Sequence, residues 1–281
     1  MAGPSPLGLI AGNGMLPYRI MENLRKSGRT VFALGISGEV AEEISENIDA
    51  WVEIGQLELA RDLMQQAGVR EVVIVGGVQR PNLTKLELDV GGLWVVERAL
   101  SQAQRGDNAL LTHVLEYFET QGFVIVSAAD VLAQPQLLRG LLTEATIDPH
   151  QQDMTRAIEI ASHIGALDIG QAAIVARGIV LGVESVEGTD AMIARVSDLS
   201  VEVRGTPDAR SGVLAKIPKP QQDRRIDLPA LGPKTVEGAV RAGLAGIVFE
   251  ANGVLFEALD ACIDQANQAG LFLYGLTPEG L

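Results

Sequence analysis

A chain of 281 residues, 47% apolar and 21% charged, has the material for one large core or two ordinary ones. Its net charge of −14 excludes the broad basic face that nucleic-acid binding requires, so a polyanionic substrate would need a local basic site or a metal. One cysteine, Cys262, excludes an intrachain disulfide and a cysteine zinc site, as in a reducing compartment.

No basic stretch followed by an apolar one opens the chain, and no run reaches the roughly 20 apolar residues of a membrane span. A cytoplasmic protein is expected, with a peripheral contact at the inner membrane left open.

Residues 7–11 (LGLIA) predict a strand. Gly12-Asn13-Gly14 follows, and Leu16 to Lys26 has the apolar spacing of an amphipathic helix. Strand, glycine turn and helix together begin a doubly wound α/β unit, in which free backbone N–H groups can receive a phosphate. Position 17 is proline, so the third glycine of a dinucleotide fingerprint is missing. Strands are expected at 30–36, 49–54, 71–75 and 123–126, and helices at 56–66, 94–104 and 109–120. The strand at 71–75 ends in a second glycine turn, Gly76-Gly77. This alternation predicts a mostly parallel, Rossmann-like sheet with both glycine turns on its ligand edge.

Residues 134–152, with Pro135 and Pro149, read as a connection between an N-terminal domain (1–133) and a C-terminal domain (153–281). The second domain is expected to be α/β or α+β. A helix spans about 156–167, a hairpin turns at Arg177-Gly178, and Glu187-Gly188-Thr189-Asp190 opens a helix to Val196. A strand at 212–217 then leads into KIPKPQQDRRIDLPALGPKT (216–235). Helices at 234–242 and 255–268 and strands at 247–249 and 271–274 complete the pattern.

The segment 216–235 is the strongest chemical signal. Lys216, Lys219, Arg224 and Arg225 stand beside Asp223 and Asp227, with Gln221, Gln222 and several prolines. Such density suits an ordered loop that presents polar groups to a ligand rather than a core strand or helix. Asp223 and Asp227 suit Mg²⁺ or the activation of a water, because magnesium takes hard oxygen ligands near substrate phosphates. The competing reading pairs both acids with Arg224 and Arg225 on a solvated loop. Gly12-Asn13-Gly14 and Gly76-Gly77 are open to a nucleotide or to a plain tight turn with Asn13 in the left-handed region. Thr189 and Asp190 are open to a ligand or to a helix cap. His113, His150 and His163 have no partner at metal spacing and read as satisfied helix residues.

The segments GLIAGNGMLP (8–17), GGVQRPNL (76–83), GDNALLTHVLEYFETQGF (106–123), DIGQAAIVARGIVLGVESVEGTDAMIAR (168–195) and KPQQDRRIDLPALGPKT (219–235) are a different order of signal. In sequence, and across nearly the whole chain, they resemble the UDP-2,3-diacylglucosamine pyrophosphatases of lipid A biosynthesis, of the type unrelated to metallophosphoesterases. The resemblance implies two domains with the substrate between them. It implies an Mg²⁺-dependent hydrolase that releases UMP and 2,3-diacylglucosamine 1-phosphate. The family's invariant acid maps to Asp223, with Asp227 the rival.

Charge logic then assigns Asp223 and Asp227 to the metal or the attacking water. Lys216, Lys219 and Arg224 or Arg225 would neutralise phosphate oxygens, with Gln222 a further contact. Asp190 and Thr189 would contribute from a second element, and Gly12, Asn13, Gly14, Gly76 and Gly77 would approach the nucleotide by backbone. A homodimer is expected. The alternatives are a nucleotide-binding protein or NAD(P)-linked oxidoreductase on the Rossmann-like domain, and a sugar-nucleotide transferase.

Overall fold

The computed structural model describes residues 5–79, 86–101, 107–132, 138–226 and 228–277. The chain forms two compact units, Met1–Gln134 with Asp223–Asp227, and Pro135–Gln222 with Leu228–Leu281.

The first unit is built on a parallel sheet of order β3-β2-β1-β4-β5: β1 (Leu7–Ala11), β2 (Val31–Ile36), β3 (Ala50–Val52), β4 (Glu71–Val75) and β5 (Val124–Ile125). β1 is central and buried throughout, which is why LGLIA reads as a continuous apolar run rather than an alternation. Helices α1 (Leu16–Lys26), α2 (Leu57–Gln66), α3 (Val90–Ser101), α4 (Asp107–Thr120) and α5 (Ala128–Leu132) complete the unit. Met64, Val95, Leu115 and Phe118 of α2 to α4 share one core with Ile10, Leu34 and Val72 of the sheet.

α3 begins a turn before the expected Trp94. The reason is Asp89. Its Oδ1 accepts from the Gly92 amide at 2.8 Å, while its Oδ2 accepts from the amides of Glu58 and Leu59 at 2.7 and 3.1 Å. One carboxylate therefore satisfies orphan donors at the start of both α2 and α3. Gly91-Gly92 lowers helix propensity, so the pattern hid this turn.

The second unit has a six-stranded sheet of order β6-β13-β11-β9-β7-β8. Its strands are β6 (Gly140–Leu141), β7 (Ala172–Ala176), β8 (Ile179–Val183), β9 (Val213–Lys216), β11 (Gly246–Glu250) and β13 (Phe272–Leu276). β9, β11 and β13 run parallel, and β6, β7 and β8 are antiparallel to their neighbours. Side chains alternate between two cores. Ile174, Leu214, Ile247 and Phe249 face the residues Met192, Val236 and Cys262 of α7 (Thr189–Ser197), α8 (Pro233–Arg241) and α9 (Leu259–Ala269). Ala173, Val175, Val213 and Val248 face Ala157 and Ala161 of α6 (Gln151–Ala166). The fold class is thus α/β with a parallel first sheet and a mixed second one.

Several expectations are revised. The stretch 134–152 contributes β6, which pairs with β13. The helix expected from Leu255 starts at Leu259, because Leu255–Phe256 forms β12, parallel to β10 (Ala230–Leu231). A short apolar run of this kind does not separate strand from helix by period. The loop 216–235 is shared out, with Asp223–Asp227 grouping with the first unit. Among the described residues, no helix is long and apolar enough to cross a membrane.

Candidate active site

Three clusters hold most of the residues to which the sequence points. The first is the crest of the parallel sheet. The two glycine turns are zipped to each other: the Asn13 amide donates to the Gly77 carbonyl at 2.7 Å, and the Gly77 amide donates to the Asn13 carbonyl at 3.1 Å. The Gly12 amide donates to the Val75 carbonyl at 2.8 Å, and the Gly14 amide to Asn13 Oδ1 at 2.6 Å. Both glycines at the seam are sterically required. A Cβ on Gly12 would lie 2.5 Å from the Gly77 carbonyl oxygen, and one on Gly76, whose φ is +96°, would lie 2.6 Å from the Gly12 carbonyl carbon. The left-handed residue of the first turn is Gly14, at φ +94°, rather than Asn13. The backbone donors expected for a nucleotide are therefore spent within the protein at Gly12, Asn13, Gly14 and Gly77.

A cavity of about 400 Å³ belongs to this same unit. Its wall is aliphatic, with Ile10, Ile36, Val52 and Ile74 from the strands and Val95 and Val114 from the helices.

The second cluster is centred on Asp223. Arg225 Nε lies 3.0 Å from Asp223 Oδ1 and Nη2 lies 2.6 Å from Oδ2, a bidentate pair, and the Arg225 amide also donates to Oδ1 at 3.0 Å. The same guanidinium reaches Glu119 Oε1 on α4 at 2.6 Å through Nη1. The Arg225 hydrogen bonds hold the Asp223 carboxyl below the usual carboxylate range, and the acids on either side push Arg225 upward. The Asp–Arg pairing weighed against a catalytic site is thus real for Asp223. Oδ1 already accepts from two donors, so the capacity left for a further ligand is on Oδ2. Arg224 is exposed, Ile226 packs into the core of the first unit, and Asp227 lies outside the described residues.

The third cluster lies in the second unit. Lys216 ends β9 with its side chain buried, and its Nζ donates to the Ala230 carbonyl at 2.6 Å. Burial pulls the Lys216 ammonium down, and the nearby Glu184, Asp190 and Glu257 carboxylates oppose that shift. Glu184, just past β8, is also buried; burial raises its carboxyl, and Lys216 acts the other way. Thr189 is the first residue of α7 after an N-cap at Gly188. Rather than capping, its hydroxyl donates to Glu184 Oε2 at 3.1 Å, a donor the buried acid requires. Asp190 accepts from Thr235 Oγ1 at 3.1 Å and pairs with Lys234 Nζ at 3.2 Å. Lys216, Thr189 and Asp190 therefore meet, together with Glu184, Lys234 and Thr235, which the sequence reading missed. The signals for those three were their positions just after a strand and at the start of a helix.

Lys219 and Gln222 stand in a separate arrangement. Lys219 Nζ pairs with Asp168 at 2.8 Å, and Gln222 Oε1 accepts from the Lys219 amide at 2.8 Å. His113 is not a fully satisfied helix residue: Nδ1 meets Glu116 Oε2 at 2.7 Å, while among the described residues the buried Nε2 has no hydrogen-bond partner.

Among the described residues, no three His, Cys, Asp or Glu side chains gather closely enough to cage a metal. The donor type at Asp223 is nevertheless that of a magnesium ligand. Mg²⁺ is usually held by one or two carboxylates, with water and substrate phosphates completing its shell.

Residues 6–134 match the LpxI N-terminal domain and residues 139–274 the LpxI C-terminal domain. The chain is also 41% identical over 274 residues to the UDP-2,3-diacylglucosamine pyrophosphatase LpxI of Caulobacter vibrioides, an alignment spanning 97% of this chain and 98% of that protein.

Proposed function

The chain belongs to the LpxI family, and from that premise we propose that it hydrolyses the pyrophosphate of UDP-2,3-diacylglucosamine in lipid A biosynthesis. The observation that carries this reading is the near full-length identity with a pyrophosphatase of that name. The acid at Asp223, held in a fixed orientation by Arg225, supports it. The reaction adds water across one P–O bond of the bridge. The water oxygen joins phosphorus, the bridging oxygen leaves with the other phosphate, and the products are UMP and 2,3-diacylglucosamine 1-phosphate.

We assign Asp223 the task of orienting the attacking water or a magnesium ion. A carboxylate held below its usual range is a weak proton acceptor, so orientation suits it better than general-base work. Asp227 is proposed as its neighbour in that task. A bound Mg²⁺ would supply positive charge to the phosphate oxygens. Arg225 stays paired with Asp223 and Glu119 and sets the carboxylate's position. Lys219 and Arg224 are proposed to face phosphate. Buried Lys216 acts at one remove, by balancing Glu184 and Asp190.

The test is incubation with UDP-2,3-diacylglucosamine, with Mg²⁺ or with EDTA, while UMP is followed. Release with Mg²⁺ and loss with EDTA are expected. Absence of UMP under both conditions overturns the reading, and undiminished release in EDTA removes the metal from it.

A further inference from the structure

We infer that Asp168 is a positioning residue for the hydrolysis proposed above, fixing the Lys219 ammonium for its work on a substrate phosphate. This deepens that reading and rests on it for the reaction itself.

The starting point is a helix end. α6 closes with the Asp168 amide on the Gly165 carbonyl at 3.0 Å and the Ile169 amide on the Ile164 carbonyl at 2.9 Å. Asp168 takes the left-handed conformation there, at φ +57°. Helices α1, α2, α4, α8 and α9 close with the same two bonds, and each puts a glycine at that residue: Gly28, Gly68, Gly122, Gly243 and Gly270. Glycine reaches the left-handed region without the clash that a Cβ meets. A negative charge at a helix C-terminus is also of the unfavourable sign. The helix end by itself therefore calls for glycine and not for a carboxylate.

What the carboxylate touches is Lys219, whose Nζ donates to Asp168 Oδ1 at 2.8 Å across 51 residues of chain. The two side chains are 19% and 36% exposed, and an ion pair open to water contributes little to stability. A strained residue with so little gain in stability points to function. The loop around the lysine is anchored without Asp168. The Lys219 amide donates to Gln222 Oε1 at 2.8 Å, and Gln221 Nε2 donates to the Gly165 carbonyl at 3.0 Å. These bonds leave the flexible stem of the lysine free to turn. A cation that offsets charge developing on phosphate acts best when it is already in place. Asp168 supplies that placement.

The test uses the full chain with UDP-2,3-diacylglucosamine and Mg²⁺. UMP release is compared for the parent, Asp168→Gly, Asp168→Asn, Lys219→Met and the double variant Asp168→Gly/Lys219→Met. Asp168→Gly suits the left-handed site and should melt close to the parent. Its kcat should nevertheless fall by about tenfold or more, with KM moving less than about threefold. Asp168→Asn tolerates the same conformation and can still accept from Lys219, so it should recover part of the loss. The double variant should be no slower than Lys219→Met, because the aspartate acts only through the lysine. Parental kcat in Asp168→Gly, a loss confined to KM, or single losses that multiply in the double variant would each overturn the inference. Should Asp168→Gly fail to fold, Asp168→Asn, alone and combined with Lys219→Met, decides on the same terms. A parent that releases no UMP overturns the reaction and takes the inference with it. A parent that releases UMP no faster than Asp168→Gly overturns the inference alone.

Discussion

Arg225 grips Asp223 by both carboxylate oxygens, with Nη2 to Oδ2 at 2.6 Å, and ties the pair to α4 through Glu119 at 2.6 Å. An acid held this way has one orientation and little tendency to take up a proton, as suits a group that positions water or metal beside phosphate.

Removal of that acid should silence the enzyme without unfolding it. Asp223→Ala is expected to lower UMP release by roughly 10²–10⁴-fold, the range of a single positioned catalytic group. Circular dichroism and thermal melting should stay close to those of the parent. Near-normal turnover would transfer the role to Asp227.

Arg225→Met should move the acid limb of the pH–rate profile upward, toward an ordinary carboxylate. The stability sign follows from the depressed Asp223 value. Its contribution is present above the unfolded carboxylate range and is lost as pH falls through the folded value, so the variant should lose its acid resistance earlier in an acid titration. Identical acid limbs would show that the pair does not set the profile.

Asp89→Ala should cost about 2 kcal/mol or more in urea unfolding, because one substitution uncaps both α2 and α3. Asp89→Asn should recover part of this loss, since the amide oxygen can still accept. A cost no larger than that of a surface substitution would refute the double cap.

Glu184→Gln should alter the pH dependence of stability more than its magnitude. Burial raises the folded Glu184 carboxyl, so the native state retains its proton over a window where the unfolded chain has released it. Stability from this source is full below the unfolded value and falls as pH rises through the folded one. The glutamine still accepts the Thr189 hydroxyl, and its melting temperature should be flatter across that window. An unchanged slope would count against the buried charge.

The Cys262 thiol is pushed up to about 12 by burial, so the native protein should resist thiol reagents at pH 8 and react only on unfolding. Rapid native labelling would contradict the packing of α9.

Much of this architecture was legible locally. The strand Leu7–Ala11, the helix Leu16–Lys26 and the hairpin at Arg177-Gly178 follow from apolar period and turn chemistry and stand where expected. The grouping of Lys216 with Thr189 and Asp190 was anticipated only as a set of chemical types. Lys234 and Thr235 escaped notice because α8, distant in sequence from α7, brings them to Asp190, and Glu184 because nothing in its local pattern marks it as buried. The dual cap at Asp89 escaped for the same reason, since its partners lie some thirty residues apart.

What the sequence by itself determined was the order of the longer strands and helices, the two glycine turns after strands, and the family, because these depend on neighbours along the chain and on ordered matches. The tertiary structure alone decided that the glycine turns spend their amides on each other, that Lys216 is buried, and that the sheet edge is aliphatic. Those properties depend on which distant groups meet, and hydrogen-bond satisfaction and desolvation are settled only when they do.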